Sequence, residues 1–273
     1  MKLSINRAWE ETAALLKRDW GTLFLIAFGL SALPQIAVQA LAPDPAEGAA
    51  APGAGGVMLV SLLIVLLIGM IGNIAVAALA LGREGVVGNA IRRGLARVLP
   101  LFGATILLGL VFVLVAGLAA ALAGLTPETM FDGAGRPTPA TAQTVLVLVV
   151  LGVALGTKFL LTTHAAAAEE GGPVAILKRS WKLTNGHYWR LLGFLLLMML
   201  VFVLASLAVT AVLGILVTLV AGQPQPGSLG ALILLFAGGL LNAAFVVVFI
   251  TMLARIYAQL ADAPPSADST TGI

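Results

Sequence analysis

The 273-residue sequence contains no cysteine and only two histidines. A disulfide, a thiolate metal site and a cysteine nucleophile are therefore excluded, and cysteine usage says nothing about the redox compartment. Charged residues make up only 10% of the chain, whereas 60% are hydrophobic and the mean hydropathy is +1.08. This mixture is too apolar for a soluble domain and predicts an integral membrane protein. No interval between apolar runs is long enough to hold a soluble catalytic or nucleic-acid-binding domain.

Six apolar runs are each long enough to cross a hydrocarbon core of about 30 Å, which takes roughly 20 helical residues. The fifth and sixth runs share one uncharged stretch, but residues 223–228, Gln-Pro-Gln-Pro-Gly-Ser, cannot propagate a helix and indicate a turn. We therefore predict an all-α integral membrane protein with six transmembrane helices. The predicted spans are 22–42, 57–81, 101–123, 144–168, 191–221 and 229–253.

Basic residues are distributed very unevenly between the two sides that these spans define. Of the 15 lysine and arginine residues, Arg136 alone falls on the side without the termini. Because flanking Lys and Arg are retained on the cytoplasmic side, both termini are predicted to be cytoplasmic. The alternative that the first run is a cleaved signal peptide is disfavoured, since this run is too long for an h-region. Residues 261–273, with two adjacent prolines and several small polar residues, are predicted to be a disordered cytoplasmic tail.

A repeated pattern introduces two of the odd-numbered spans. Glu84-Gly85 and Glu170-Gly171 each precede two adjacent cations, Arg92-Arg93 and Lys178-Arg179, with six residues between. The N-terminal segment lacks Glu-Gly but delivers Arg18-Asp19-Trp20 to the start of the first span. This self-similarity predicts three parallel repeats, each an amphipathic helix followed by two spans. The repeats, at about 1–82, 83–168 and 169–260, would form one domain of residues 1–260.

The segment that leads into each odd-numbered span has two different faces when it is plotted at 100° per residue. In the third, Val174, Leu177 and Trp181 lie opposite Lys178 and Lys182. We predict three cytoplasmic interfacial helices whose apolar faces sink about 5 to 10 Å into the headgroup boundary while their cations meet anionic phospholipid. The cations predicted to bind headgroups are Arg92, Arg93, Arg97, Lys178, Arg179, Lys182 and Arg190.

The tryptophan and tyrosine residues all fall at the predicted cytoplasmic interface. Amphipathic rings of this kind anchor a protein at headgroup depth. An ordinary aromatic belt would explain their depth but not their restriction to one side. The predicted interfacial anchors are Trp9, Trp20, Trp181, Trp189 and Tyr188.

The sequence contains no pattern typical of catalysis or of metal binding. His164 and His187 lie far apart without a His-Glu-x-x-His motif, and the glycine-rich segment 53–56 has no lysine beside it. Glu169 and Glu170 are adjacent and so diverge by about 100° on a helix, which prevents them from facing a common substrate. We therefore expect no metal, no cofactor, no nucleic-acid partner and no enzymatic activity, with membrane lipids as the partners.

Four polar residues within the predicted spans are candidates for an intramembrane site, because polar groups there are costly and often functional. They are Gln35, Asn73, Lys158 and Asn242. Lys158 could instead snorkel towards the interface, and the amides could form ordinary hydrogen bonds between helices. Pro34 predicts a kink in the first span.

The stretch 170–186, EGGPVAILKRSWKLTNG, followed by Tyr188-Trp189-Arg190, is similar to a family signature. It resembles the membrane domain that accompanies some bacterial glycerophosphoryl diester phosphodiesterases and the related YciC-like six-span inner-membrane proteins. The most specific part is Arg-Ser-Trp-x-Leu-Thr at 179–184. In the fused members, hydrolysis belongs to a separate soluble barrel, which this sequence lacks. The resemblance implies a stand-alone module in the cytoplasmic (inner) membrane of a bacterium.

Two functional hypotheses remain open. The first is a non-enzymatic scaffold in membrane or envelope lipid homeostasis that contacts anionic phospholipids through its cations and tryptophans. The second is a transporter or channel for a small or amphiphilic solute, with the four polar residues lining a cavity between the repeats. A lipid-processing enzyme would need a nucleophile and base or a metal set, and the sequence shows neither.

Overall fold

The computed structural model of the protein describes residues 3–41, 54–126, 128–133, 135–225 and 227–261. These residues form helices joined by turns, with one isolated β-bridge between Phe131 and Pro137. The tail predicted for 261–273 lies outside the described residues except for Ala261, which ends the last helix. In chain order the α-helices are α1 (Ile5–Ala27), α2 (Leu33–Leu41), α3 (Ala54–Ala80), α4 (Val87–Leu122), α5 (Pro139–Lys158), α6 (Thr162–Ala168), α7 (Pro173–Thr184), α8 (Tyr188–Ala221) and α9 (Leu229–Ala261).

Six segments of the described chain are long and apolar enough to cross a membrane, which confirms the predicted number of spans and the all-α class. The break predicted at 223–228 is also confirmed for residues 223–225 and 227–228, which are not helical. There α8 ends at Ala221, and Gly222 adopts a φ of 78°, a left-handed conformation that glycine tolerates without strain. The six segments are Ile5–Ala40, Gly56–Ala80, Val87–Leu122, Pro139–Ala168, Tyr188–Val220 and Leu229–Ala261.

The first span contains a π-helical turn, Phe28–Ala32, just before Pro34. Proline has no N–H to donate and disturbs the preceding helical turn, so the irregularity lies where the sequence predicts a kink. Ser31 in this turn donates to Asn73 Oδ1 of α3 at 3.3 Å. Gly72 lets the two segments approach, because a Cβ added there would lie 2.8 Å from Leu30 Cβ.

Two of the three predicted leader helices are not separate elements. The N-terminal leader is continuous with the first span in α1, and the second is continuous with the third span in α4. At 1.5 Å per residue, the 36 residues of α4 extend about 54 Å, well beyond a hydrocarbon core of about 30 Å. Only the third leader, α7, is a helix of its own, with Pro173 at its first position and Gly172 before it.

The fourth span, predicted as one continuous run over 144–168, is interrupted. Its helix ends at Lys158, turns through 159–161 and resumes as the seven-residue α6. Neither proline nor glycine occurs in the turn, so no residue in the sequence marks the break. The Thr162 hydroxyl donates to the Phe159 carbonyl at 2.6 Å and so satisfies one of the backbone groups that the interruption frees.

The two ends of the described chain meet, since the Ser4 N–H donates to Gln259 Oε1 at 3.1 Å. We call this end of the helix assembly the terminal end. Many of the buried side chains lie near it, among them 74–78 and, except for Thr163 and Arg255, 161–168 and 250–257. Towards the opposite end, large apolar side chains such as Leu118 and Leu219 are mostly exposed. The protein is therefore closely packed at the terminal end, whereas the other half presents apolar side chains outward, as a helix surface in lipid does.

Candidate functional site

The short helix α6 has its C-terminus inside the protein, where two arginines of α4 satisfy its carbonyls. Arg97 donates through Nε to the Ala166 carbonyl at 3.1 Å, and through one terminal nitrogen to the carbonyls of Glu169 and Gly171 at 2.7 and 2.9 Å. The last carbonyls of a helix have no intrahelical donor and carry partial negative charge, so a buried helix end needs such cationic donors. Arg97 therefore serves as a cap for α6.

The second cap of α6 is Arg93, one turn before Arg97. Its Nε donates to the Ala167 carbonyl at 2.5 Å, and a terminal nitrogen lies 3.5 Å from the Ala168 carbonyl. The same guanidinium pairs with Glu84 at 3.3 Å, which fixes its orientation. Arg93 and Arg97 thus have structural partners inside the protein.

The backbone of α4 explains why these two arginines point inward. Its buried stripe consists of small and apolar residues at helical spacing, Ala90, Gly94, Val98 and Leu101. A Cβ added to Gly94 would lie 2.6 Å from the Ile71 carbonyl oxygen, so α3 and α4 are in backbone contact there. The arginines at 93 and 97 border this stripe, and Arg92 is exposed. Headgroup binding by these cations stays a prediction, but Arg93 and Arg97 are directed to backbone carbonyls and do not share one outward face with Arg92.

Glu169, just after α6, joins two further helices to this cluster. One carboxylate oxygen accepts from Arg179 Nε of α7 at 2.6 Å and from the Tyr257 hydroxyl of α9 at 2.6 Å. Arg179, predicted as a headgroup ligand, is therefore paired with a carboxylate. Glu170 is exposed and lies outside this hydrogen-bonded cluster; neither glutamate is in a helix, so the divergence of about 100° predicted for them does not apply.

Lys158, at the end of α5, lies between two aromatic rings. Its Nζ is 5.0 Å from the centre of the Trp181 ring and 5.1 Å from that of Tyr188, and it donates to Asn185 Oδ1 at 2.7 Å. Both ring distances are within the range of a cation–π interaction. The side chain therefore contacts α7 through Trp181, the turn after α7 through Asn185 and the start of α8 through Tyr188.

The same lysine also explains the signature at 179–184. Ser180 and Thr184, one turn apart on α7, both donate from their hydroxyls to the Lys158 carbonyl at 3.1 Å. This carbonyl is the last of α5 and has no donor within its own helix, so the two hydroxyls of α7 satisfy it. The signature residues therefore dock α7 on the broken fourth span, while Trp181 contacts the lysine side chain. Gly186, whose φ is 87°, supplies the tight turn that returns the chain to Tyr188.

His187 lies in that turn and is half-buried. Burial, together with the nearby positive charge of Arg190, lowers the pKa of His187 below its ordinary value. Both causes disfavour the charged imidazolium, which fits a side chain close to the Arg190 guanidinium. His164 is on another element, α6, fully buried, with Nε2 2.9 Å from the Ile250 carbonyl oxygen. The two histidines do not form a joint site.

The remaining predicted cations are exposed at the terminal end. Arg92, Lys178 and Lys182 form no ion pair with any described carboxylate. Arg190 is exposed and donates to the Leu3 carbonyl at 3.0 Å. We call these four residues the cationic rim.

The predicted tryptophan anchors are also accessible, although each ring is large and apolar. Their exposed fractions are 50% for Trp9, 40% for Trp20, 42% for Trp181 and 79% for Trp189. Tyr188 is half-buried because its ring packs on Trp189 and faces Lys158.

The four intramembrane polar residues do not form one site through any described hydrogen bond. Asn73 accepts from Ser31, and Lys158 donates to Asn185. Gln35 is exposed on α2, and Asn242 is half-buried on α9. Both hydrogen bonds join neighbouring segments, which is the ordinary role of such residues.

One large cavity lies between α4, α5, α8 and α9. Its volume is about 610 Å³, and it is lined by apolar side chains and glycines only. None of the four predicted intramembrane polar residues lines it. Sequence reasoning missed this cavity, because its lining residues look like any others in the spans. Among the described residues, no group of three His, Asp or Glu side chains could hold a metal ion.

Comparisons with known proteins place the chain in a family without assigning it an activity. No curated protein and no solved structure matches it. The resemblance to phosphodiesterase-associated and YciC-like membrane proteins therefore stays a prediction. Residues 5–260 match the model of a domain of unknown function, DUF7847, and the chain belongs to that family.

Proposed function

We propose that the protein is a non-enzymatic membrane protein that binds anionic phospholipid headgroups at its terminal end, as a scaffold in membrane or envelope lipid homeostasis. The observation that carries the proposal is the cationic rim, four exposed basic side chains that form no ion pair with a described carboxylate. Exposed tryptophans lie at the same end. Indole rings and cations are the side chains that favour the headgroup region of a bilayer.

The expected strength of this interaction follows from the number of available cations. A lysine or arginine near an anionic surface contributes about 1 kcal/mol. The seven predicted headgroup ligands are reduced to the four of the rim, because Arg93, Arg97 and Arg179 have partners inside the protein. Four cations give roughly 4 kcal/mol, or about a thousandfold preference for anionic over neutral lipid.

The terminal end faces the cytoplasm in this proposal, in a bacterial inner membrane. The supporting observation is the positive-inside bias, with Arg136 the one basic residue in the segments that join spans at the opposite end. The three-repeat interpretation is part of the same proposal and is supported by the matching Glu-Gly and cation pairs. Equivalent members of the two pairs also have similar surroundings: Arg92 and Lys178 are exposed, whereas Arg93 and Arg179 are half-buried and pair with Glu84 and Glu169.

A transporter or channel is the second candidate, favoured by the break in the fourth span. Interrupted helices bind substrates or ions in many transporters. Here, however, the carbonyls near the end of α6 accept from Arg93 and Arg97, and the last carbonyl of α5 accepts from Ser180 and Thr184. A single cysteine at Asn73 or Asn242 in the cysteine-free chain tests for a water path. Reaction with an aqueous thiol reagent supports transport, and protection at both sites supports a packed interior.

Retention of lipid during purification tests the proposed function. The protein is extracted from bilayers of equal parts phosphatidylglycerol and phosphatidylcholine, and native mass spectrometry counts the lipids of each class that remain bound. We expect the triple variant Arg92→Gln, Lys178→Gln, Lys182→Gln to lose most of the preference for phosphatidylglycerol.

The matched control for this experiment removes the same number of charges elsewhere. Arg7→Gln and Arg18→Gln remove cations that are paired with Glu11 and Asp19, and Arg136→Gln removes one at the opposite end. This control variant should keep the preference. Equal loss in both triple variants, or no preference in the unmodified protein, would contradict a headgroup site at the rim.

A further inference from the structure

The apolar cavity is a groove that opens sideways from the helix assembly. Leu195 and Phe249 form its floor, because Leu195 is only 8% exposed and Phe249 is half-buried. Val149 and Met199 lie at its edges and are 55% and 48% exposed. All four of its helices belong to segments that can cross a membrane. The open side of the groove therefore faces hydrocarbon and not water.

The groove is elongated along the membrane-crossing direction. Its residues on α5 run from Val145 to Gly156, which corresponds to about 16 Å of helix. Phe245, whose ring stacks on that of Phe249 at a centroid distance of 5.6 Å, forms a wall on α9. Gly152 keeps the middle open, because a Cβ added there would meet only the ring of Phe112, at 3.5 Å. A long, narrow, apolar groove of this kind has the shape of an extended hydrocarbon chain, and its volume is within the usual range for ligand sites.

A cation lies close to one end of this groove: Lys158 does not line the groove, but Gly156 and Leu160 on either side of it in the chain do. Tyr188, which contacts Lys158, precedes the floor residue Leu195 by seven residues on α8, that is, by two turns on the same face and about 10 Å. An ammonium group has three donors, and the described contacts of Lys158 use one of them, for Asn185. No described carboxylate pairs with Lys158. The lysine therefore has N–H groups available for an anionic acceptor at the end of the groove.

We infer that the groove binds one acyl chain of an anionic diacyl phospholipid whose phosphate interacts with Lys158. This inference rests on the proposed function and adds to it a defined site, distinct from the exposed rim. Charge complementarity selects the occupant: the groove is lined only by apolar side chains and glycines, and the charged group that the described residues place near its end is a cation held in position by two rings. A neutral detergent or a second copy of this chain would fill the groove but would give that cation no anionic partner beyond its hydrogen bond to Asn185.

Native mass spectrometry with variants of the groove tests the inference. The protein in detergent is incubated with phosphatidylglycerol, with phosphatidylcholine, or with glycerol phosphate as a headgroup without chains. We expect one phosphatidylglycerol to be retained, and retention to fall at least tenfold in Gly152→Phe, whose ring occupies the groove. Gly117→Phe, on an exposed position of α4 with open space around it, is the matched control and should retain the lipid. Lys158→Gln should still retain a lipid in the groove but should reduce the preference for phosphatidylglycerol at this site, while the preference due to the rim remains.

A second measurement avoids the risk that Gly152→Phe fails to fold. A single cysteine at Val149 labels with a thiol reagent in lipid-free detergent, and phosphatidylglycerol should slow this labelling several-fold while glycerol phosphate should not. Unchanged labelling with phosphatidylglycerol, full retention by Gly152→Phe, or a dimer mass in place of the bound lipid would overturn the inference. If the rim variant loses its lipid preference while the groove variants behave like the unmodified protein, the proposed function stands and the groove site does not.

Discussion

Replacement of Arg97 by methionine should destabilise the whole terminal end of the protein. Arg97 is half-buried and donates to the carbonyls of Ala166, Glu169 and Gly171. Methionine keeps much of the apolar stem but removes all three donors. The carbonyls at the end of α6 would then be buried without partners, which is the costly situation for a backbone polar group.

The expected loss of stability follows from those three hydrogen bonds. A hydrogen bond that involves a charged group contributes about 1.5 to 3 kcal/mol, but bonds made by one guanidinium are coupled and their contributions do not add. We expect the free energy of unfolding to fall by about 3 kcal/mol, less than the roughly 4.5 to 9 kcal/mol that three independent bonds would give. For a chain of this size the unfolding midpoint should drop by roughly 6 to 12 °C.

The neighbouring arginine provides the control for this experiment. Arg92 is the same residue type on the same helix but is exposed, so Arg92→Met should change stability by no more than about 0.5 kcal/mol. Both variants are made in a background with one cysteine at the fully buried Ala254, and thermal unfolding in detergent is followed by reaction of that thiol with a fluorogenic reagent. Equal midpoints for the two variants would refute the assignment of Arg97 as the cap of α6.

Three further predictions concern the contacts around this cluster. Gly94→Ala should cost about 1 to 3 kcal/mol, because its Cβ would lie 2.6 Å from a carbonyl oxygen of α3, whereas Gly88→Ala, in open space, should be close to neutral in the same thermal assay. Thr184→Val should cost about 1 kcal/mol through loss of its hydrogen bond to the last carbonyl of α5, and a stability equal to that of the unmodified protein would argue against this docking contact. Because burial lowers the pKa of His187, the unfolded chain takes up a proton at this residue more readily than the native protein does. The free energy of unfolding should therefore fall as the pH drops below about 6.5. His187→Gln should show a smaller fall between about pH 7.5 and 5.5, and an unchanged pH dependence in this variant would contradict the prediction.

The sequence predicts the helical class and the number of spans because both depend on local hydrophobicity. Lengths of apolar runs set the spans, and Pro34 and the 223–228 segment mark irregularities that the structure contains. The break at 159–161 could not be predicted, because no proline or glycine marks it. Its backbone groups are satisfied by residues far along the chain, Arg97 on one side and Thr184 on the other. Such long-range compensation leaves no local pattern in a single sequence.

The cationic site was only partly predictable, for a related reason. A helical projection separates apolar from basic residues, but it does not say which neighbour each face meets. In α4 the signal that was missed is the four-residue spacing of Ala90 and Gly94, because such pairs of small residues are typical of close helix contacts. Arg93 and Arg97 lie next to this stripe on the helix and therefore also face protein. In α7, Lys178 and Lys182 are exposed as the helical projection predicts, whereas Arg179 forms an ion pair with Glu169.

The most direct test of lipid binding is a density map of the protein in a nanodisc that contains phosphatidylglycerol, with an antibody fragment bound to add mass. We expect a continuous, chain-shaped density in the groove between Gly152 and Leu195 that ends in a phosphate within hydrogen-bond distance of Lys158 Nζ. A groove closed by direct packing of α5 on α8, or filled by density that branches into water away from Lys158, would contradict the proposed site.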